Sequence, residues 1–291
     1  MKSGFVSIIG RQNVGKSTLI NTIIGEKIAI TTEKPQTTRN IIQGVYNEEN
    51  VQIVFVDTPG IHKPVTKLGN FLNSQAYYSM NDVDIVLFIV DVQEEIGKGD
   101  MFVLEKLQTI NKPVILLLNK IDKINNEGII KKINQYKDLY DFAEIIPVSA
   151  LKNDNISRLI KVIKNYLPDS VKYFSEEDKT SAPMDFRICE IVREKVFELT
   201  DKEIPYSVAC ILSDLEDKKD SVHISVDIIV DRDSLKKIII GKKGIMLKEI
   251  GIKSRNDLEK MFNKKVYIEL YVKTIKKWRN KENKLRELGY K

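Results

Sequence analysis

The chain has 291 residues, 42% of them hydrophobic, so each of two domains can bury a core and a disordered chain is excluded. Its 47 lysines and arginines against 41 acidic residues give a net charge of +6. Two cysteines, Cys189 and Cys210, and two histidines exclude a disulfide scaffold or zinc cluster and indicate reduced core thiols of a cytosolic protein. No apolar run reaches transmembrane length, and Met1–Gly4 leads straight into a predicted strand, so no signal peptide is expected.

The first predicted strand, Phe5–Ile9, leads into a glycine-containing octet and then a helix that Gly25 closes. The octet reads Gly-Arg-Gln-Asn-Val-Gly-Lys-Ser and fits the phosphate-binding pattern G-x-x-x-x-G-K-[ST] at all four fixed positions. In such a turn several backbone N–H groups point at one anion beside the positive end of a helix. We expect Lys16 to reach the β- and γ-phosphates and the Ser17 hydroxyl to bind Mg²⁺. The predicted nucleotide-binding residues of this segment are Gly10, Arg11, Gln12, Asn13, Val14, Gly15, Lys16, Ser17 and Thr18.

The next segment, Thr31–Arg39, is polar and lacks a periodic apolar face, which predicts a mobile loop. A threonine hydroxyl in such a loop can close onto Mg²⁺ and the γ-phosphate of a bound triphosphate. Thr38 is the first candidate and Thr37 the alternative, because spacing does not separate neighbours. A solvated loop without a metal role stays open.

A second motif, Asp57-Thr58-Pro59-Gly60, follows the predicted strand Val51–Val56. A carboxylate at the end of a strand can hold a water molecule on Mg²⁺, and a glycine offers an unobstructed N–H to a γ-phosphate. The alternative is an ordinary turn at a strand exit. With the first motif upstream, the pattern predicts Lys16, Thr38, Asp57 and Gly60 as the catalytic residues.

Ile61 follows Gly60, where many small GTPases carry the glutamine that orients the attacking water. Hydrolysis is therefore expected to depend on backbone groups, a water network or a partner. The Asn13 amide is a candidate ligand for K⁺ beside the phosphates, although turn geometry alone also explains an asparagine there. His62 is more simply a solvated side chain than a general base.

Base choice is predicted by Asn119-Lys120-Ile121-Asp122, after the apolar strand Val114–Leu118. The Asp122 carboxylate can accept hydrogen bonds from guanine N1–H and the exocyclic amine, and adenine offers neither donor there. Asn119 is expected to tie neighbouring loops together, and the Lys120 stem to cover one face of the base. Ser149-Ala150, after the strand-like run at 143–148, is expected to bring a backbone N–H toward guanine O6. The predicted ligand is GTP.

These motifs resemble those of the translation-factor-related GTPases, especially the Era family of ribosome-assembly GTPases. The resemblance rests on the octet at 10–17, Gln36-Thr37-Thr38-Arg39, Asp57-Thr58-Pro59-Gly60-Ile61-His62, Asn119-Lys120-Ile121-Asp122 and Val148-Ser149-Ala150. Sister families share much of this signature, so the features of the second half of the chain are needed to distinguish among them.

Pattern and composition divide the chain into three parts. Alternating strands and helices up to about Leu167 predict a P-loop GTPase domain of α/β class, a three-layer α/β/α sandwich at residues 1–168. A polar segment at 169–183 is predicted to be a linker. Residues 234–291 hold 18 basic and 6 acidic side chains, a net charge of +12, which leaves −6 for residues 1–233. This asymmetry predicts that the C-terminal part binds a polyanion. Nucleic acid is the first candidate and anionic lipid the second.

The third part, residues 184–291, carries a G-x-x-G turn. A helix with apolar residues from Ile188 to Leu199 is followed by predicted strands at 206–215 and 222–231, a short helix at Ser234–Ile239, a helix at about 245–262 and a strand at 265–273. The order α-β-β-α-α-β around Ile-Gly-x-x-Gly resembles an α+β type II KH domain, which binds about four single-stranded nucleotides. The predicted RNA-binding residues are Ile240, Gly241, Lys242, Lys243 and Gly244; whether Ile238, Ile239 and Ile240 form groove wall or core is left open.

The Era-like order, a GTPase domain followed by a KH domain, covers essentially the whole chain. The resemblance implies binding near the 3′ end of 16S rRNA and a role in 30S subunit assembly and rRNA maturation. Three alternatives stay open: a GTPase of tRNA modification or large-subunit assembly, an RNA-binding module without useful turnover, and a membrane-associated GTPase. The membrane-associated alternative rests on the segment Thr274–Gly289, which is predicted to form a basic amphipathic helix. This helix packs on the KH domain, contacts RNA or attaches peripherally to a membrane.

Overall fold

The computed structural model describes residues 1–32, 34, 37–61 and 63–290. Contacts divide the chain into two units. The first comprises Met1–Pro64 and Gly69–Ser181, and the second comprises Val65–Leu68 and Ala182–Lys291.

The first unit is built on a six-stranded sheet in the order β2-β3-β1-β4-β5-β6. All neighbouring strands are parallel except the β2–β3 pair, which is antiparallel. A parallel sheet covered on both faces needs nearly continuous apolar strands, and β4 and β5 are buried at every position. The strands are β1 (Lys2–Ile9), β2 (Ile42–Glu48), β3 (Val51–Asp57), β4 (Ile85–Asp91), β5 (Val114–Asn119) and β6 (Glu144–Val148).

Helices cover both faces of this sheet. Residues of α2, α3 and α4 share one hydrophobic cluster with Val86, Phe88 and Val90, while the alternate β4 residues Leu87 and Ile89 are equally buried on the opposite face. The predicted three-layer α/β/α architecture is confirmed. The helices are α1 (Lys16–Ile24), α2 (Lys67–Asn81), α3 (Lys98–Leu107), α4 (Asn126–Tyr136) and α5 (Ile156–Tyr166).

The polar segment at 169–183, predicted as a linker, is grouped with the first unit as far as Ser181. Gln52 Oε1 accepts hydrogen bonds from the backbone N–H groups of Tyr173 (2.7 Å) and Phe174 (3.0 Å). Val45 N donates to Lys179 O at 2.9 Å, along the edge strand β2. A polar segment without apolar periodicity can pack in this way because its backbone groups supply the hydrogen bonds. The main part of the second unit begins at Ala182, close to the predicted start of the C-terminal domain at residue 184.

The second unit is a three-stranded sheet in the order β7-β8-β9, in which β7–β8 is antiparallel and β8–β9 parallel. Side chains from α6, α7 and α8 form one core with the strands, around Val192, Val226, Leu235 and Ile250. The predicted order α-β-β-α-α-β is confirmed. Its elements are α6 (Met184–Leu199), β7 (Val208–Asp217), β8 (Ser221–Val230), α7 (Asp233–Ile240), α8 (Ile245–Phe262), β9 (Lys265–Thr274) and α9 (Glu282–Glu287).

The C-terminal segment does not form the single helix predicted from Thr274 to Gly289. A 3₁₀ turn at Trp278–Asn280 and the short α9 replace it, because Lys277 adopts a left-handed conformation with φ 55°. Trp278 is fully buried, stacks on Tyr290 and donates its Nε1–H to Ser207 O at 3.1 Å. The apolar side of this segment is thus used inside the second unit, which agrees with the interpretation that it packs on the KH domain. No helix in the described part of the chain is both long and apolar enough to cross a membrane.

Candidate functional site

The turn between β1 and α1 admits no side chain at its two fixed glycines. Gly10 has φ 157°, and an added Cβ would collide with Ile89 O. Gly15 has φ 101°, and its Cβ would collide with the Asn119 amide. Val14 is buried and anchors the turn in the core. The glycines therefore allow this backbone to pass close to the ends of β4 and β5 and then enter α1.

Lys16 is buried under this turn. Its Nζ donates to Arg11 O at 2.6 Å and to Gly10 O at 3.3 Å. Burial lowers the pKa of Lys16 to about 8, against the opposing attraction of the Asp57 carboxylate. A phosphate at the turn would stabilise the charged ammonium that burial disfavours.

Three oxygen-bearing side chains meet beside Lys16. Ser17 Oγ lies 2.8 Å from both Thr38 Oγ1 and Asp57 Oδ2, and Thr38 Oγ1 donates to Asp57 Oδ2 at 3.3 Å. Asp57 is fully buried, which raises its pKa in spite of the nearby Lys16 ammonium and these hydroxyls. Its Oδ1 has no hydrogen-bond partner among the described residues. A cluster of hydroxyl and carboxylate oxygens with one buried oxygen unpaired fits a hard divalent cation such as Mg²⁺.

The neighbouring threonine faces a different group. Thr37 Oγ1 donates to Lys34 O at 2.7 Å and lies 2.7 Å from Thr32 Oγ1. Of the two candidates, only Thr38 lies beside Ser17 and Asp57 in the described structure.

The segment after Asp57 is fixed to the sheet. Thr58 Oγ1 donates to Ile8 O at 2.8 Å, Pro59 is buried, and Ile61 N donates to Gly10 O at 3.2 Å. The Ile61 side chain lies in the hydrophobic cluster, so it presents no polar group to the site. His62 and Gln36, which carried two of the sequence interpretations, lie outside the described residues.

Asn119 ties two loops together. Its Nδ2 donates to Val14 O at 2.7 Å, and its Oδ1 accepts from Ala150 N at 3.0 Å. The end of β5 thereby fixes the phosphate-binding turn to the loop after β6.

Lys120 has a left-handed backbone with φ 67°. Its Nζ lies 2.6 Å from Asp91 Oδ2 and donates to Asn13 O at 2.9 Å. Asn13 itself has φ 62°, a conformation that asparagine tolerates better than most residues. This supports the turn-geometry explanation for Asn13 and leaves its K⁺ role a prediction.

Asp122 is held by the hydroxyl of Ser149, a contact that the sequence analysis did not anticipate. Ser149 Oγ donates to Asp122 Oδ1 at 2.6 Å, and this hydrogen bond lowers the pKa of Asp122. The N–H groups of Ser149 and Ala150, expected to face guanine O6, donate instead to Asp154 O and to Asn119 Oδ1. The first bond closes the loop onto itself and the second joins it to the end of β5, so Ser149 reaches Asp122 through its side chain.

The motifs enclose a cavity of about 600 Å³, a volume typical of small-molecule sites. The predicted residues that line it are Gln12, Asn13, Gly15, Lys16, Ser17, Thr18, Thr38, Gly60, Asn119, Lys120, Asp122 and Ala150. The predicted residues outside its lining are Gly10, Arg11, Val14, Asp57, Thr58, Pro59, Ile61, Ile121 and Ser149.

Arg11 faces away from the cavity lining. Its guanidinium lies 2.7 Å from Glu94 Oε2 and 3.2 Å from Asp100 Oδ2, at the start of α3. Sequence reasoning missed these acids and Asp91, the partner of Lys120. Asp91 ends the apolar run of β4 as Asp57 ends that of β3, a signal that was present in the sequence.

The second candidate site is the turn between α7 and α8. Gly241 and Gly244 have φ 74° and 78°, and Lys243 between them has φ 54°. An added Cβ on Gly241 would lie 2.7 Å from Met246 Cβ, whereas one on Gly244 would meet no atom within 4 Å. Lys242 and Lys243 are exposed, so both cations can reach phosphates.

The isoleucines beside this turn divide between core and surface. Ile239 is fully buried, Ile240 is half-buried, and Ile238 is 47% exposed. Ile245, at the start of α8, is 65% exposed. The turn therefore places two lysines next to an exposed apolar surface, the combination that a groove for nucleotides requires.

Comparison with known proteins gives matches to both units. A family model described as "50S ribosome-binding GTPase" matches residues 5–120, and a KH-domain model matches residues 203–279. The chain is similar to Era in complex with MgGDPNP and nucleotides 1506–1542 of 16S ribosomal RNA, and to an Aquifex aeolicus Era variant bound to GDP and AlF₄⁻. Each is 40% identical, with a TM-score of 0.96, and each match covers 100% of this chain and 99% of the other.

Proposed function

The chain belongs to the Era family, and on that premise we propose that it is an Mg²⁺-dependent GTPase that binds the 3′ region of 16S rRNA and assists 30S subunit assembly and rRNA maturation. The observation that carries the proposal is the likeness over the full chain to Era bound to both a GTP analogue and a 16S rRNA segment. The likeness spans both units, so it supports nucleotide and RNA binding together.

Phosphate binding is assigned to the turn at 10–17. Lys16 supplies the cation, and its two backbone acceptors show that the ammonium lies at the turn already. Ser17 and Thr38 would hold Mg²⁺ directly, and Asp57 would hold it through a water molecule. When bound, the metal neutralises negative charge on the β- and γ-phosphates.

Guanine selection is assigned to Asp122. Its carboxylate lies at the cavity wall and is oriented by Ser149. Guanine offers two donors to it, whereas adenine would leave it without them at a cost of roughly 1–3 kcal/mol. K⁺ binding beside Asn13 remains part of the proposal, and GTPase rates in K⁺ against Na⁺ test it.

RNA binding is assigned to the α7–α8 turn, with Ile240, Gly241 and Gly244 shaping the backbone and Lys242 and Lys243 meeting phosphates. The net charge of +12 in residues 234–291 supports this assignment, because neutralising phosphates releases counterions and dominates affinity for nucleic acid. Bound GTP and Mg²⁺ would order the segments at 31–40 and after Gly60, and hydrolysis would release both segments again.

We place this activity in the cytoplasm, where ribosomes are assembled. Peripheral attachment to a membrane through the segment Thr274–Gly289 would depend on its cationic side chains, because its apolar residues Trp278, Leu285 and Leu288 are buried.

Crosslinking tests the proposed RNA target. The GTP-loaded protein is crosslinked in cell lysate and the attached RNA is sequenced, for the wild type and for a Lys242→Glu, Lys243→Glu variant. Fragments from the 3′ end of 16S rRNA, lost in the variant, support the proposal. Enrichment of tRNA or 23S rRNA would favour the alternative GTPase classes. GTP turnover assays with K⁺ and with RNA separate the proposal from an RNA-binding module without turnover.

A further inference from the structure

Gln12 lies where the phosphate-binding turn meets the glycine of the second motif. A Cβ added to Gly60 would lie 2.7 Å from Gln12 Cγ, 2.9 Å from its Cα and 3.0 Å from its N. Gly60 and Gln12 both line the cavity, together with Lys16 and Thr38. Gln12 therefore belongs to the end of the cavity that the proposed function assigns to the γ-phosphate.

The amide of Gln12 differs from the other polar groups of this cavity in its hydrogen bonding. Its Nε2 is buried and has no hydrogen-bond partner among the described residues. Lys16 bonds to Arg11 O, and the Ser17 and Thr38 hydroxyls bond to Asp57. A buried N–H without an acceptor is unfavourable, so the amide gains a hydrogen bond when a ligand oxygen reaches it.

The chain carries no polar side chain at the position after Gly60. Ile61 is buried in the hydrophobic cluster, and its N–H is bonded to Gly10 O. In hydrolysis a water oxygen bonds to the γ-phosphorus and the bond to the β–γ bridging oxygen breaks. The electron pair of that bond stays on GDP, and the water proton passes to the released phosphate. A donor that holds the water or a γ-phosphate oxygen in line lowers the barrier to this step.

We infer that Gln12 is a catalytic residue whose side-chain N–H donates to the γ-phosphate or to the attacking water, in place of the glutamine that Ile61 does not provide. This rests on the proposed GTPase function. Because GDP has no γ-phosphate, Gln12 contributes to hydrolysis and to binding of the transition state, and not to affinity for GDP.

The test compares three variants of the full chain. Gln12→Met keeps the length and the packing against Gly60 but removes the amide, and Gln12→Glu keeps the shape but presents a negative charge. Gln108→Met makes the same chemical change at an exposed glutamine at the end of α3, and serves as the control. Single-turnover GTP hydrolysis, the Kd for GDP and the Kd for GDP with AlF₄⁻ are measured in Mg²⁺ and K⁺.

We expect Gln12→Met to slow hydrolysis about 10- to 100-fold, somewhat less than the roughly 100- to 1,000-fold loss typical for removal of one donor to a developing charge. The affinity of Gln12→Met for GDP with AlF₄⁻ should fall, while its Kd for GDP should stay within about twofold of the wild type. Gln12→Glu should hydrolyse GTP more slowly than Gln12→Met. Wild-type rates in Gln12→Met overturn the inference. A parallel loss of GDP affinity also overturns it, because Gln12 would then only support the loop. If the wild type itself does not hydrolyse GTP, the proposed function fails instead.

Discussion

At the scale of single residues, the proposed choice of base depends on one carboxylate, that of Asp122. Asp122 is the acidic side chain among the residues that line the described cavity, and Ser149 holds its carboxylate. The preference for guanine follows from hydrogen-bond donors and acceptors alone, since guanine N1–H and the exocyclic amine of guanine both need acceptors.

Asp122→Asn is expected to weaken GTP binding about 10- to 100-fold, because hydrogen bonds to a charged group are worth about 1.5–3 kcal/mol. Xanthosine triphosphate should bind the variant better than the wild type, since its C2 oxygen accepts from an amide N–H. Calorimetry with both nucleotides measures this, with the exposed Asp138→Asn as control. An unchanged preference for guanine would remove Asp122 from base recognition.

The buried Lys16 predicts a pH dependence of nucleotide binding. Phosphate binds the ammonium form, and the pKa of Lys16 in the free protein is about 8. Below this pKa the lysine is already charged, so affinity for GTP should vary little. Above it, binding must take up a proton, and the Kd should rise toward about tenfold per pH unit. Measurements from pH 6.5 to 9 test this.

Lys16→Met supplies the control for the pH series, because any ionisation of guanine itself remains in the variant. A pH dependence as steep in Lys16→Met as in the wild type would contradict the assignment. Stability without nucleotide has the opposite sign. Between the folded pKa of about 8 and the ordinary value of 10.5 the unfolded chain binds more protons, so the free energy of unfolding rises with pH there.

Among the elements, the α7–α8 turn gives the most direct test of RNA binding. Lys242→Glu with Lys243→Glu should weaken binding to single-stranded RNA and reduce the slope of log affinity against log salt by about 1.4, at about 0.7 per phosphate contact. The same exchange at Lys218 and Lys219, exposed in the turn between β7 and β8, is the matched control. Equal losses in both variants would indicate general charge attraction and not a site at the turn.

The two glycines of this turn should respond differently to alanine. Gly244→Ala adds a methyl group that meets nothing, so it costs only the left-handed backbone strain of about 1–2 kcal/mol. Gly241→Ala combines φ 74° and ψ 174°, a region that non-glycine residues avoid, with a methyl group 2.7 Å from Met246 Cβ. We expect it to destabilise the second unit by about 1–3 kcal/mol more. Urea unfolding followed at Trp278 measures both, and equal effects would be inconsistent with this backbone.

Local patterns predicted most of the elements that carry the sites. The helix expected from about Ile245 to Phe262 is α8, because a glycine precedes it and its apolar spacing is regular. The C-terminal break at Lys277 had no such signal, since lysine seldom takes a left-handed backbone. The Lys120–Asp91 pair depends on β4 lying beside β5, a topology that spacing along the chain does not contain. Likewise, the edge strand β2 accepts the segment after residue 168 through backbone groups that composition does not reveal.

For the molecule as a whole, the chain joins a guanine-nucleotide site to a basic RNA-binding unit. Residues 234–291 carry +12 and the remainder −6, so the attraction to RNA is concentrated in one part of the sequence. Two ligands bound by one chain are coupled only if each changes the affinity for the other, and such couplings are commonly about 5- to 150-fold.

The most direct test measures the Kd of the full-length protein for a fluorescent RNA that copies the 3′-terminal segment of the 16S rRNA of its own organism. The RNA is titrated with a nonhydrolysable GTP analogue and with GDP, beside a scrambled RNA of equal length at the same salt concentration. We expect at least about tenfold tighter binding of the native segment, and an affinity that differs between the GTP-like and GDP states by about fivefold or more. Equal affinity for the scrambled RNA, or the same affinity with either nucleotide, would contradict it.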